Sequence, residues 1–124
     1  MGRARLRALG LALGLAAIAL GAGACKETTL EDRPCPPEGT TLTYDGFGEG
    51  FLDAHCQGCH GAPTKDRKGA PSGYDFATVE DVRRWRSRIF SRAAADNTTM
   101  PPGPDDPPAA EREKLAEWLA CGAP

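Results

Sequence analysis

Apolar residues recur at helical spacing in three stretches of this chain, and nowhere do they alternate as a half-buried strand requires. Phe47, Phe51 and Leu52 share one face of the first stretch. Asp45 is placed to cap it, so the spacing predicts a helix over residues 47–59. Val79, Val82, Ile89 and Ala93 fall on one face of the second, with Trp85 beside them. Thr78-Val79-Glu80-Asp81 opens it as a near capping box, with Asp81 in place of the usual Glu or Gln. Leu115, Trp118 and Leu119 mark a third helix, with Asp106 as the expected N-cap and Pro107 at its first position. Glu111 and Glu113 sit in its early turns and Gly122 is its stop. Between the first two stretches, residues 61–74 hold three glycines, two prolines and four charges, the composition of a loop. The pattern predicts an all-α domain of about three helices.

The first 24 residues belong to no such element. Arg3, Arg5 and Arg7 precede an unbroken apolar run from Ala8 to Leu20, too short for a membrane span, and Gly21-Ala22-Gly23-Ala24 supplies small residues before a cleavage point. Residues 1–24 therefore read as an export signal. Cys25 follows directly, and the pattern resembles a bacterial lipoprotein signal, in which this cysteine becomes the lipidated N-terminus; Ala22 stands where such signals usually carry Leu, Val or Ile. The alternative is ordinary cleavage after Ala22-Gly23-Ala24, leaving Cys25 a free thiol. The resemblance implies attachment to the periplasmic side of a bacterial membrane, and Lys26 after the anchor leans toward the outer one. Residues 25–43, polar and marked by Pro34, Pro36 and Pro37, read as a tether, and residues 44–124 as the domain.

At 124 residues the chain holds one domain at most, and the roughly 80 residues of its folded part make a marginal hydrophobic core. Removal of the signal leaves 12 basic and 17 acidic residues, a net charge of −5, and nothing suggests a nucleic-acid partner. Arg83, Arg84, Arg86, Arg88 and Arg92 line the second helix; such a run is ordinarily a solvated face, with docking of an acidic partner as the alternative.

Chemistry concentrates at Cys56-Gln57-Gly58-Cys59-His60. Two cysteines three apart sit about one helical turn apart, so both sulfurs can reach the two vinyl groups on one porphyrin edge, and the next histidine brings its imidazole beneath the iron. C-x-x-C alone also fits a redox dithiol or half a zinc site. The dithiol needs a βαβ context that is absent, and zinc needs a fourth ligand from Cys35 or Cys121. The opposite face of the iron has few candidates. His55 adjoins Cys56 and cannot reach across the ring, whereas Met100, 40 residues beyond His60, lies in a polar loop stiffened by Pro101 and Pro102. Five cysteines then divide into Cys25 as the anchor, two haem thioethers, and Cys35 with Cys121. In an oxidising compartment that last pair is most simply a disulfide closing a loop of about 86 residues.

From Gly48 to Trp118 these features resemble the class I c-type cytochromes: a helix ending in C-x-x-C-H-G, a loop and helix, a Met-Pro loop, and a last helix bearing an aromatic. The resemblance implies a cytochrome c-like fold wrapped around one covalent haem c. It matches Gly48 to the glycine where the first and last helices cross, with Leu115 and Trp118 facing it; Leu52 stands where the family often has phenylalanine. It also implies a proline carbonyl accepting from the free N–H of His60, assigned to Pro71 ahead of Pro63. With His60 and Met100 both on the iron, no position is open to oxygen or peroxide. The chain is then a monomeric carrier of single electrons between redox proteins, not an enzyme. A haem-based sensor in which Met100 detaches is the alternative; di-haem peroxidases carry two C-x-x-C-H motifs, and this chain has one.

Overall fold

The computed structural model describes residues 26–124, so the expected signal and the expected lipid anchor at Cys25 lie outside the described residues. Four helices and their loops make up the described chain, with no strand among those residues. A turn of π-helix, Tyr44–Gly48, runs directly into α1 (Glu49–His55), and α2 (Gln57–His60) follows one residue later. The longer α3 (Val79–Ala93) and α4 (Ala109–Ala120) complete the set.

The first helix starts earlier than its apolar residues indicate. Thr43 has extended backbone and its Oγ1 accepts from the Gly46 N–H at 3.0 Å, so the cap falls two residues before Asp45. Asp45 instead sits within the first turn, where a carboxylate favours the positive end of the helix. The helix also breaks at Cys56 (φ −122°, ψ −42°), which separates α1 from the turn that carries the second cysteine and His60.

Trp118 of α4 is fully buried. Phe47 meets it edge-on at 6.1 Å between ring centroids, and Tyr44 lies 6.4 Å away. Gly48 makes this crossing feasible, because a Cβ there would stand 2.5 Å from two carbons of the indole ring. In Gly48→Ala the better helix propensity contributes at most about 1 kcal/mol, whereas overpacking against a ring with no free space costs about 1–3 kcal/mol. The overlap wins. Thermal melts of the holoprotein should show a midpoint lowered by about 5 °C or more; an unchanged midpoint would mean the helices do not cross this closely.

α3 follows its sequence pattern. Thr78 Oγ1 accepts from the Asp81 N–H at 3.2 Å, and the hydroxyl donates to Asp81 Oδ2 at 2.9 Å. Val82, Ile89, Phe90 and Ala93 are buried against Leu52, Phe76, Leu115 and Leu119 in one core. On the outer face Arg83 and Arg84 lie 3.9 Å and 3.8 Å from Glu80 and Asp81, exposed pairs that contribute little to stability.

α4 begins two residues later than Asp106-Pro107 predicts. Pro107 precedes Pro108, and a residue before proline is pushed out of the helical region, so Pro108 becomes the flanking residue and no side chain caps the helix. Asp106 serves Arg112 instead. The far end matches expectation: Gly122 has φ +97°, its N–H donates to Leu119 O, and Ala123 N donates to Trp118 O at 2.9 Å.

Residues 26–43 are not a free spacer. The Asn97 side chain accepts from Thr28 N at 3.1 Å and donates to Thr28 O at 2.8 Å, while Leu30 and Leu42 pack against the core. Arg33 pairs with Glu113, and Thr40 donates to Glu117 at 2.6 Å. Cys35 and Cys121 form the expected disulfide, with Cα atoms 4.7 Å apart. Prolines and polar side chains suggested a solvated segment, but two leucines and a covalent bond bind this arm to α4 and to the loop after α3.

Candidate functional site

Cys56, Cys59 and His60 lie on a single turn. The N–H groups of Cys59 and His60 both donate to Cys56 O, at 3.1 and 2.9 Å, and both thiols are free while the other described pair is bonded. Burial pushes the Cys56 thiol up to about 12, so it is protonated at neutral pH. A redox dithiol requires the opposite shift. Among the described residues no three His, Cys, Asp or Glu side chains converge to hold a metal ion, and Cys35 and Cys121 are spent, so the zinc reading finds no ligand set.

His60 is held by its ring and its backbone. Its Nδ1 lies 2.6 Å from Tyr74 O. A carbonyl can only accept, so Nδ1 carries the proton and Nε2 presents its lone pair, the tautomer a metal ligand needs. The ring stacks on Phe76 at 4.5 Å, and Phe76 N donates to His60 O at 3.0 Å.

The carbonyl that orients His60 belongs to Tyr74, not to Pro71 or Pro63. Pro71 O accepts from Arg67 Nη2 at 3.1 Å. Arg67 gathers the whole loop: it reaches Gly61 O, Ala70 O and Tyr74 O and pairs with Asp75 at 2.7 Å. With the loop wound around that guanidinium, Tyr74 O faces the imidazole. No sequence signal distinguishes one backbone carbonyl from another, although four successive charged residues containing a single arginine mark where the loop could be gathered.

Met100 lies between α3 and α4. At 41% exposure it is the exposed large apolar residue among those described. Its N–H donates to Arg92 O at 2.8 Å and its carbonyl accepts from Arg112 Nη1 at 2.9 Å, so the side chain is free while the backbone is fixed. His55 takes no part: it packs on Phe51 and lies 3.4 Å from Glu111.

One further group fits a bound cofactor. The Trp85 indole N–H is buried without an acceptor, and its ring stacks at 4.3 Å on Tyr74, the residue whose carbonyl orients His60. A buried donor without a partner costs about 1–3 kcal/mol, and an acceptor brought by a cofactor would remove that cost.

A family model described as cytochrome C oxidase, cbb3-type, subunit III matches residues 47–119. The chain belongs to that family. It is a c-type cytochrome, a haem-based electron carrier whose cofactor is covalently bound haem c. No curated protein and no solved structure matches the chain. The match on this cytochrome starts at the aromatic beside Gly48 and ends at Leu119, so it spans the motif, the loop wound on Arg67, α3 and the Met100 loop. Among the described residues no helix is long and apolar enough to cross a membrane.

Proposed function

We propose that this cytochrome carries single electrons at the periplasmic face of a bacterial membrane, with one haem held by thioethers from Cys56 and Cys59 and ligated by His60 and Met100. The bound haem supplies a one-electron Fe(III)/Fe(II) couple. The observation that carries this reading is the His60 tautomer: the Nδ1 bond to Tyr74 O leaves Nε2 free on the turn that presents both thiols. That bond also keeps the ring from turning. Met100 supplies the other ligand, since an exposed thioether on a fixed backbone is not packing the core. A sulfur ligand raises the potential of the couple relative to nitrogen on both faces.

Location follows the same reasoning. The export signal before Cys25 and the Cys35–Cys121 disulfide both belong to an oxidising compartment, and Cys25 is the proposed lipid anchor. Redox proteins are the partners.

The reading is tested on holoprotein in both oxidation states. The ferric form should show a far-red sulfur-to-iron band that disappears completely in Met100→Ala, with a fall in reduction potential. A wild-type protein without that band, binding carbon monoxide readily when reduced, would instead be an open-site ligand binder.

A further inference from the structure

Arg112, in the first turn of α4, is 3% exposed and lies on the same face as Leu115 and Leu119, three and seven residues on. A guanidinium does not shed its proton, so it stays out of water only where its donors are met. Here Nη1 donates toward Ala93 O at 2.8 Å, Met100 O at 2.9 Å and Asn97 O at 3.0 Å, and Nη2 donates to Asp106 Oδ1 at 3.1 Å. Two hydrogens are thus shared among three carbonyls. Ala93 ends α3, where unpaired carbonyls and the helix dipole favour a cation. The Met100 N–H is taken by Arg92 O, so both backbone polar groups of Met100 are fixed, one by α3 and one by α4.

We propose that Arg112 is the positioning residue for the distal ligand: its guanidinium clamps the Met100 backbone so that the sulfur stays on the iron and does not swing into solvent. The proposal rests on Met100 being that ligand. Three carbonyls from different turns converge on the one nitrogen Nη1, while Nη2 holds Asp106. A lysine ammonium ends one bond short of the Nη1 position and has no second nitrogen to steady it, so it cannot meet them in the same way. Asp106 is the exposed outer partner, and removing its charge leaves all three carbonyl contacts in place.

The test compares wild-type, Arg112→Lys, Asp106→Asn and Met100→Ala holoproteins, with far-ultraviolet circular dichroism to confirm folding. The readouts are the far-red band of the ferric form and its affinity for imidazole, a probe that competes for the sulfur's place. Arg112→Lys should weaken the band and bind imidazole about tenfold more tightly or better, because a larger fraction of the protein has its sulfur off the iron. Asp106→Asn should stay close to wild type. A folded Arg112→Lys with wild-type band and affinity overturns the clamp, while loss of the band in Met100→Ala keeps the ligation reading standing. If Met100→Ala leaves the ferric spectrum unchanged, the ligation reading fails and the clamp falls with it. Should Arg112→Lys not fold, guanidinium nitrogen resonance on the ferrous wild type decides: separate, slowly exchanging Nη signals for Arg112 support the clamp, and one averaged signal overturns it.

Discussion

Replacing Cys56 and Cys59 together by alanine should leave the cytochrome without retained haem and without a stable fold. Both thiols are free and sit on the turn that carries His60, so their loss removes both proposed points of covalent attachment. The effect on folding is the larger one. A domain of this size buries too little apolar surface for a wide margin, and without a cofactor the Trp85 indole N–H beside Tyr74 stays buried with no partner. Such a group costs about 1–3 kcal/mol, against a typical domain stability of about 5–15 kcal/mol. Denaturing gels stained for haem should show background signal in the double variant, and circular dichroism should show helix content well below wild type. Single variants should keep one thioether and an intermediate melting point. A double variant that still holds haem through denaturation would place the attachment elsewhere.

Reduction of the Cys35–Cys121 disulfide, or its replacement by two alanines, should lower the melting midpoint by roughly 20 °C or more. The bond closes a sequence separation of 86 residues, nearly the whole domain. In the chain-entropy description such a loop contributes about 4–5 kcal/mol by restricting the unfolded chain. Breaking it leaves the docking of the arm to Asn97, Glu113 and Glu117 in place, so the native contacts change little and the loss comes from a freer unfolded state. Thermal melts with and without reductant measure it directly. A shift of only a few degrees would mean that the arm's other contacts already restrict the chain.

Elements whose signals lie in side-chain spacing were readable in advance. The Thr78–Asp81 cap, the buried line of Val82 and Ile89 and the Gly122 stop all stand where the residues indicate, while the Gly48–Trp118 crossing stands where the resemblance to class I c-type cytochromes implies. Features decided by the backbone were not. Tyr74 orients His60 through a carbonyl that every residue type possesses, and Pro71 is displaced from that role by Arg67 gathering the loop. The start of α4 turned on the steric effect of Pro108 on Pro107, which outweighs the capping preference of Asp106. Arg112 did leave a trace, since a charge in register with Leu115 and Leu119 interrupts an otherwise apolar stripe. Its meaning depended on three carbonyls brought together from a separate part of the chain.

The docked arm also sets how far the domain can roam. An unattached polar spacer of residues 26–43 would behave as a flexible leash with a typical span of about 20–25 Å. With Thr28 already fastened to Asn97, an anchor at Cys25 leaves three residues of slack, about 10 Å when fully stretched. With such an anchor the haem would ride close to the lipid headgroups. Electron exchange would then become a two-dimensional encounter, in which a membrane-embedded partner would have to bring its own redox centre to the height this domain presents.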